Sequence, residues 1–222
     1  MRKVLILADS DTDGGILADA LQISAMPGIK FDIDTDRDAP ASREKLSQYA
    51  AVLNVRSLMG SYSNNTWFSV SAFDSYVKDG GSFIAAGKGC LYDPAPRRKE
   101  EKFFLEVDRY NKFLGSRVDE TFMGPVHIST VDRWHPIMKG ISDFDADEPH
   151  RRTVLTAEGA EILFDTSSEK GGSGVHGGYV LKRGSGRVIA ITQGLSKKTW
   201  RIPGFSAIVA NSVRYCAAGR KI

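Results

Sequence analysis

Apolar and polar residues change period along this chain, and the changes mark alternating strands and helices. Residues 4–8 form a short unbroken apolar run, Val-Leu-Ile-Leu-Ala, closed by the polar turn Asp9-Ser10-Asp11-Thr12-Asp13-Gly14-Gly15. Strands buried on both faces read this way, and such burial belongs to parallel sheets. Ile16, Leu17, Ala20 and Leu21 then recur at helical spacing, with Asp13 near the N-cap and Pro27-Gly28 as the stop. Residues 30–34 alternate charge with Phe31 and Ile33, as a half-buried strand near an edge does, and residues 51–55 predict a third strand. Trp67, Val70, Phe73 and Val77 share one helical stripe that ends at Asp79-Gly80-Gly81. Residues 82–86 predict a fourth strand, and Phe103, Phe104, Val107, Asn111 and Leu114 a further helix.

The second half is richer in strands, predicted at 126–130, 161–164, 178–182 and 187–191. The glycine-rich segment 167–178 reads as a loop or hairpin connection. The last helix starts near Pro203 and carries Phe205, Ile208, Val209, Ser212, Val213 and Cys216 on one face. This order predicts a doubly wound, mostly parallel sheet with helices on both faces and extra strands in the second half. Ligands of such sheets sit beyond the strand C-termini. The loops 9–15, 56–65, 87–93 and 194–200 are therefore the places to look for a site.

Composition changes little in this picture. The 222 residues are 41% hydrophobic and 26% charged, with no composition shift that marks a boundary, so a single domain over 1–222 is expected. The net charge is +3, and the densest basic run, Arg97-Arg98-Lys99, is followed at once by Glu100-Glu101. A mixed run of this kind is a solvated helix start, which argues against a nucleic-acid partner. The two cysteines, Cys90 and Cys216, make no disulfide framework. With no leader in the first residues and an apolar run too short for a membrane span, the expectation is a cytoplasmic protein without a membrane partner.

The candidate chemistry lies in the loops. The acidic turn 9–15 lacks the glycine spacing of a dinucleotide or phosphate loop, and its carboxylates repel phosphate. Asp9, Asp11 and Asp13 can instead hold Mg²⁺ or accept from sugar hydroxyls; as turn formers and a helix cap they need no ligand. Gly87-Lys88-Gly89-Cys90 follows a buried strand, where a nucleophile elbow would lie. Lys88 would lower the Cys90 thiol pKa, although Tyr92 is too large for the far side of an elbow and a structural thiol is the alternative. His127, His135, His150 and His176 form no metal-binding spacing, and His135, in Trp134-His135-Pro136, reads as held by backbone. Asp145, Asp147 and Glu148 cluster after Phe144, either to bind hydroxyls and orient a histidine or as a solvated loop.

These residues in order resemble the ThuA-like (trehalose utilisation) family of the class I glutamine amidotransferase-like superfamily. Tyr76-Val77-Lys78-Asp79-Gly80-Gly81-Ser82-Phe83-Ile84 is similar to its Y-V-x-x-G-G-G-F-V turn, and the segment from His135 to Ile141 to its H-P-I-x-x-G-L. Asp147-Glu148 falls on its D-E-x-Y, with His150 in place of Tyr. Gly184-Ser185-Gly186-Arg187-Val188 resembles G-K-G-R-V, and Thr199-Trp200, Pro203 and Phe205 resemble T-W-x-x-P-x-F. The chain departs from the family at Gly87 and at Leu195, where the family usually has histidine, and the family's histidine loop after the first strand is replaced by the acidic turn.

The resemblance implies a flavodoxin-like sheet and a role in trehalose or related sugar utilisation, on a sugar or polyol, with no cofactor or metal and with a homo-oligomer compatible. Strand-end position points to a pocket in which Cys90, Lys88 and Glu148 are the catalytic candidates. Asp9, Asp11, Asp13, Asp147, His150 and Trp200 are the substrate-binding candidates. Two alternatives stand beside it: a Cys90-dependent amidotransferase-like hydrolase, and a non-catalytic binding or assembly subunit that has lost the family's histidines.

Overall fold

The computed structural model of the chain describes residues 1–10, 14–15, 17–18, 21, 26–36, 42–56, 70–91 and 101–219, with backbone alone for 101–106. Asp11, Asp13, Trp67, Tyr92 and the basic run 97–99 lie outside the described residues.

In chain order the strands are β1 (Arg2–Leu7), β2 (Ile29–Asp34), β3 (Ala51–Asn54), β4 (Ser82–Ala86), β5 (Ser116–Phe122), β6 (Val126–Thr130), β7 (Phe144–Ala146), β8 (His150–Leu155), β9 (Glu161–Ser168), β10 (Gly172–Arg183) and β11 (Gly186–Ile191). Among the described residues, nine of them form one sheet in the order β2-β1-β3-β4-β11-β10-β9-β6-β7, and β5 pairs with β8 in a second, two-stranded sheet. The first five strands of that order are mutually parallel, and β10, β9, β6 and β7 continue the sheet antiparallel. The fold is thus α/β, with the flavodoxin-like mostly parallel half and the extra second-half strands that the sequence predicts.

The unbroken apolar runs are explained by two cores, one on each face of the parallel half. Along β1, Val4 and Ile6 face one core while Leu5 and Leu7 face the other. Ile84 and Ala86 of β4 pair in the same way against Phe83 and Ala85. The helix Pro203–Gly219 covers the first face with Phe205, Ile208, Val209, Val213 and Cys216. The helix Val70–Lys78 covers the second with Phe73, Tyr76 and Val77, joined by Tyr110 and Phe113 of the helix Glu101–Leu114. The central strands β1, β3 and β4 therefore carry apolar residues at consecutive positions, not only at alternate ones.

The glycine-rich segment 167–178 departs from the loop expectation. β9 runs to Ser168 and β10 starts at Gly172, so most of the segment is ladder. The physical reason is the Phe164 ring, which lies over the backbone of β10. A Cβ on Gly178 would meet that ring, and a Cβ on Gly177 would lie 2.6 Å from it. The glycines admit an aromatic ring rather than break a strand. Segment 145–155 differs too: Glu148 is buried and His150–Leu155 is strand β8.

Candidate functional site

The parallel strands bring four loops to one end of the sheet. Asp9 follows β1, Val55 follows β3, Lys88 follows β4, and Gly194, Leu195, Lys197 and Trp200 follow β11. Together with Leu17 these residues line one cavity. Of the predicted site residues, Asp9, Lys88 and Trp200 meet here.

The floor is backbone against backbone. Gly87 opens a short 3₁₀ turn, Gly87–Cys90, at φ +56, and a Cβ on it would overlap the carbonyl of Gly194. Only glycine fits, because the position needs both the left-handed region and the missing side chain. Gly87 is where the family usually places histidine, so its absence is built into how β4 and β11 end. From below, the buried Arg151 donates through Nη1 to Gly87 O at 2.8 Å and Thr192 O at 3.3 Å, tying the same two strand ends. Sequence reasoning missed Arg151, since nothing in Arg151-Arg152 distinguishes a buried guanidinium from an exposed one.

The turn points its two candidate side chains in opposite directions. Lys88 is exposed, with Nζ 3.9 Å from Asp9 Oδ2 across the mouth of the cavity. Cys90 is buried, its Sγ 3.3 Å from Ala85 O and 3.4 Å from Ile191 O. Burial pushes the Cys90 thiol up to about 12, against smaller opposing effects of Arg151 and the Ile191 backbone. Cys90 is held as a thiol under the floor and does not line the cavity.

Glu148 stands behind the cavity rather than in it. Its Oε1 accepts from Gly194 N at 2.7 Å, and its Oε2 accepts from Leu195 N at 2.9 Å and from Thr199 Oγ1 at 2.6 Å. With its amide turned nitrogen-inward, Gln193 also donates to Oε1 at 3.1 Å and to Pro149 O at 3.1 Å. A buried carboxylate with this many donors is a clamp for loop 193–199. Asp147, its neighbour, is exposed and 3.8 Å from Lys198.

His150 is fully buried and apart from the cavity. Thr166 Oγ1 donates to Val175 O at 3.0 Å, so it accepts from His150 Nε2 at 3.0 Å. His150 Nδ1 then accepts from Ser168 Oγ at 2.8 Å. This neutral ring joins β8 to β9, and burial lowers its pKa. His135, by contrast, stands as its motif suggests: its Nδ1 accepts from Ile137 N at 3.1 Å, and its pKa is lowered by burial against the pull of Asp132 and Glu161.

Trp200 is half-buried and meets Phe205 edge to face at 4.9 Å. Its ring therefore has a fixed orientation at the rim. Among the described residues, no three His, Cys, Asp or Glu side chains are grouped to hold a metal ion. Nor is any helix among them long and apolar enough to cross a membrane.

A parallel sheet ending in a cavity of loop residues, continued by antiparallel strands, defines a flavodoxin-like α/β protein with a cavity at the strand C-termini. The family model described as ThuA, trehalose utilisation, matches residues 13–216, and the chain belongs to that family. Its structure is similar to a ThuA-like protein of Bacteroides uniformis, at a TM-score of 0.68 and 18% identity, covering 97% of this chain and 91% of the other. It is also similar to a cytoplasmic protein of Salmonella typhimurium LT2, at a TM-score of 0.71 and 12% identity over 100% of both chains. A β-galactosidase of Rahnella sp. R3 contains the same fold within a larger chain, at a TM-score of 0.63 and 15% identity, covering 100% of this chain and 32% of that one. Among curated proteins none matches the sequence.

Proposed function

We propose that this ThuA-family chain binds a sugar-like small molecule at the C-terminal ends of its parallel strands and serves carbohydrate utilisation from the cytoplasm. The observation that carries the reading is the convergence of Asp9, Lys88, Lys197 and Trp200 on one cavity. An indole held perpendicular to the Phe205 ring at the cavity rim offers apolar surface to the C–H face of a pyranose, and Asp9 accepts from hydroxyls.

Of the readings with chemistry, the Cys90-dependent one has the least support, because the thiol is buried and held protonated. The non-catalytic binding subunit has a specific observation in its favour: the Gly87–Gly194 contact leaves no space for the histidine usual in the family. Recognition of a sugar is common to that subunit and to an enzyme of the family.

A thermal-shift screen across neutral and acidic mono- and disaccharides tests the proposal. A sugar that binds the folded chain raises its melting temperature by mass action. The expected result is a rise with at least one sugar that Trp200→Ala removes. If no sugar raises the midpoint, the proposal is rejected.

A further inference from the structure

We infer that the chain dimerises through strand β2, which pairs antiparallel with β2 of a second copy about a twofold axis at Phe31. β2 is one edge of the nine-stranded sheet, and among the described residues no strand lies beyond it. Its inner side is spent on β1. Arg2 N donates to Gly28 O at 2.9 Å and Ala8 N to Asp34 O at 3.2 Å, which fixes the phase of this parallel ladder. Gly28, Lys30, Asp32 and Asp34 thus turn their backbone groups to β1, and Ile29, Phe31 and Ile33 turn theirs outward. Ile29 N donates to Met26 O at 3.3 Å. The Ile29 carbonyl and both backbone groups of Phe31 and Ile33 are left as an edge that another strand can pair.

The order of residues along the strand selects both the partner and the register. Residues 29–33 read Ile-Lys-Phe-Asp-Ile, apolar and charged in the same places from either end, with opposite charges about the centre. With Phe31 opposite Phe31 of the second copy, each Ile29 meets an Ile33 and each Lys30 meets an Asp32. A slip of one residue sets outward backbone groups against inward ones. A slip of two sets Lys30 against Lys30 or Asp32 against Asp32, and like charges directly opposite are destabilising. Within one chain Lys30 and Lys3 already flank Asp32, at 3.5 and 3.6 Å, so the pairing extends an alternating row of charges on that face. A lysine on an edge strand keeps other strands away. A strand with the matching carboxylate two residues on admits its own copy.

The other face of β2 supplies apolar surface. Ile29 and Phe31 pack partly against the first core, and Ile33 on the same face is 38% exposed. A hollow opens along this edge, lined by Met1, Met26, Ile29, Lys30 and Phe31. The pairing sets Ile33 of the second copy beside Ile29 at that hollow and the two Phe31 side chains next to each other, which takes apolar surface out of water. The contact is the same patch on both copies and closes at two. None of these side chains lines the strand-end cavity, so the inference stands apart from the sugar reading.

Sedimentation equilibrium from about 1 to about 100 μM tests the pairing against a monomer mass of 24.3 kDa. The expected mass doubles as concentration rises. Lys30→Asp and Asp32→Lys each set like charges opposite one another and should weaken the dimer at least about tenfold. Mixing the two variants in equal amounts makes every charged pair across the contact opposite again, so the mixture should dimerise as the parent does. A variant that had merely misfolded would give no such rescue. Hydrogen exchange reports position: the Phe31 and Ile33 amides should slow as the dimer forms. A chain that stays monomeric throughout overturns the inference. So does a dimer that both single variants leave intact, or one whose Phe31 and Ile33 amides exchange as fast as in the monomer, because another surface then makes the contact. Failure of the mixture to restore what each variant loses overturns it as well.

Discussion

Glu148 Oε2 accepts the hydroxyl of Thr199 at 2.6 Å, and this bond joins the segment between β7 and β8 to the loop after β11. The same carboxylate takes the backbone N–H groups of Gly194 and Leu195. One side chain therefore fixes the loop that supplies Gly194, Leu195, Lys197 and Trp200 to the cavity. Glu148→Ala leaves those donors buried without an acceptor, and the expected loss is about 3 kcal/mol of unfolding free energy. Urea denaturation measures it. Glu148→Gln keeps an acceptor oxygen and should lose roughly half as much. A Glu148→Ala protein as stable as the parent would deny the clamp.

Gly87→His restores the residue usual in the family and should be harmful here. Its φ of +56 disfavours any side chain, and the Gly194 carbonyl occupies the space. A loss of at least about 2 kcal/mol is expected, read from the shift in denaturation midpoint. A variant of unchanged stability would mean that β4 and β11 end further apart than described.

Cys90 should resist alkylation. Raising the thiol from 9.0 to about 12 cuts the thiolate fraction near neutrality by roughly a thousandfold, before steric closure is counted. Iodoacetamide at pH 7.5 should leave Cys90 unmodified in the folded chain and label it fully in denaturant, as peptide mass spectrometry can follow. Rapid labelling of the native protein would return Cys90 to the catalytic candidates.

Stability should fall on mild acidification. Burial lowers the pKa of both His135 and His150, so in the folded state each takes up a proton less readily than in the unfolded chain. The unfolded state then binds more protons as pH drops through the ordinary imidazole value of 6.5, and unfolding free energy declines across that window. Below the folded-state values the decline levels off. Denaturation curves from pH 8 to pH 5 should show the slope, and His150→Asn should flatten it. A curve unaffected by that substitution would mean that His150 does not titrate differently on folding.

The parallel half was legible in the sequence because burial on both faces writes itself as unbroken apolar runs, as in residues 4–8, 51–53 and 83–86. The closing helix was legible too, since Phe205 through Cys216 hold one face. Strand β10 was not, because Gly177 and Gly178 look like a loop until the Phe164 ring above them is known. Strand β8 was hidden by its charge: His150, Arg151 and Arg152 look solvated, yet the first two are buried. For the site, strand-end position gathered Asp9, Lys88 and Trp200 correctly into one cavity. Cys90, His150 and Asp147 stand apart from that cavity, which sequence proximity to Lys88 and Glu148 did not reveal because side-chain direction along a turn or strand is not written in spacing alone.

The abutment of Gly87 on Gly194 has a further consequence for how such a protein can diversify. With the two chain segments seated directly on each other, the base of the hollow offers no position from which a new functional group can grow. Novel specificity in this lineage must then be written around the margin, at positions such as 9, 88, 197 and 200, where a longer or shorter side chain alters what is admitted without unseating the scaffold.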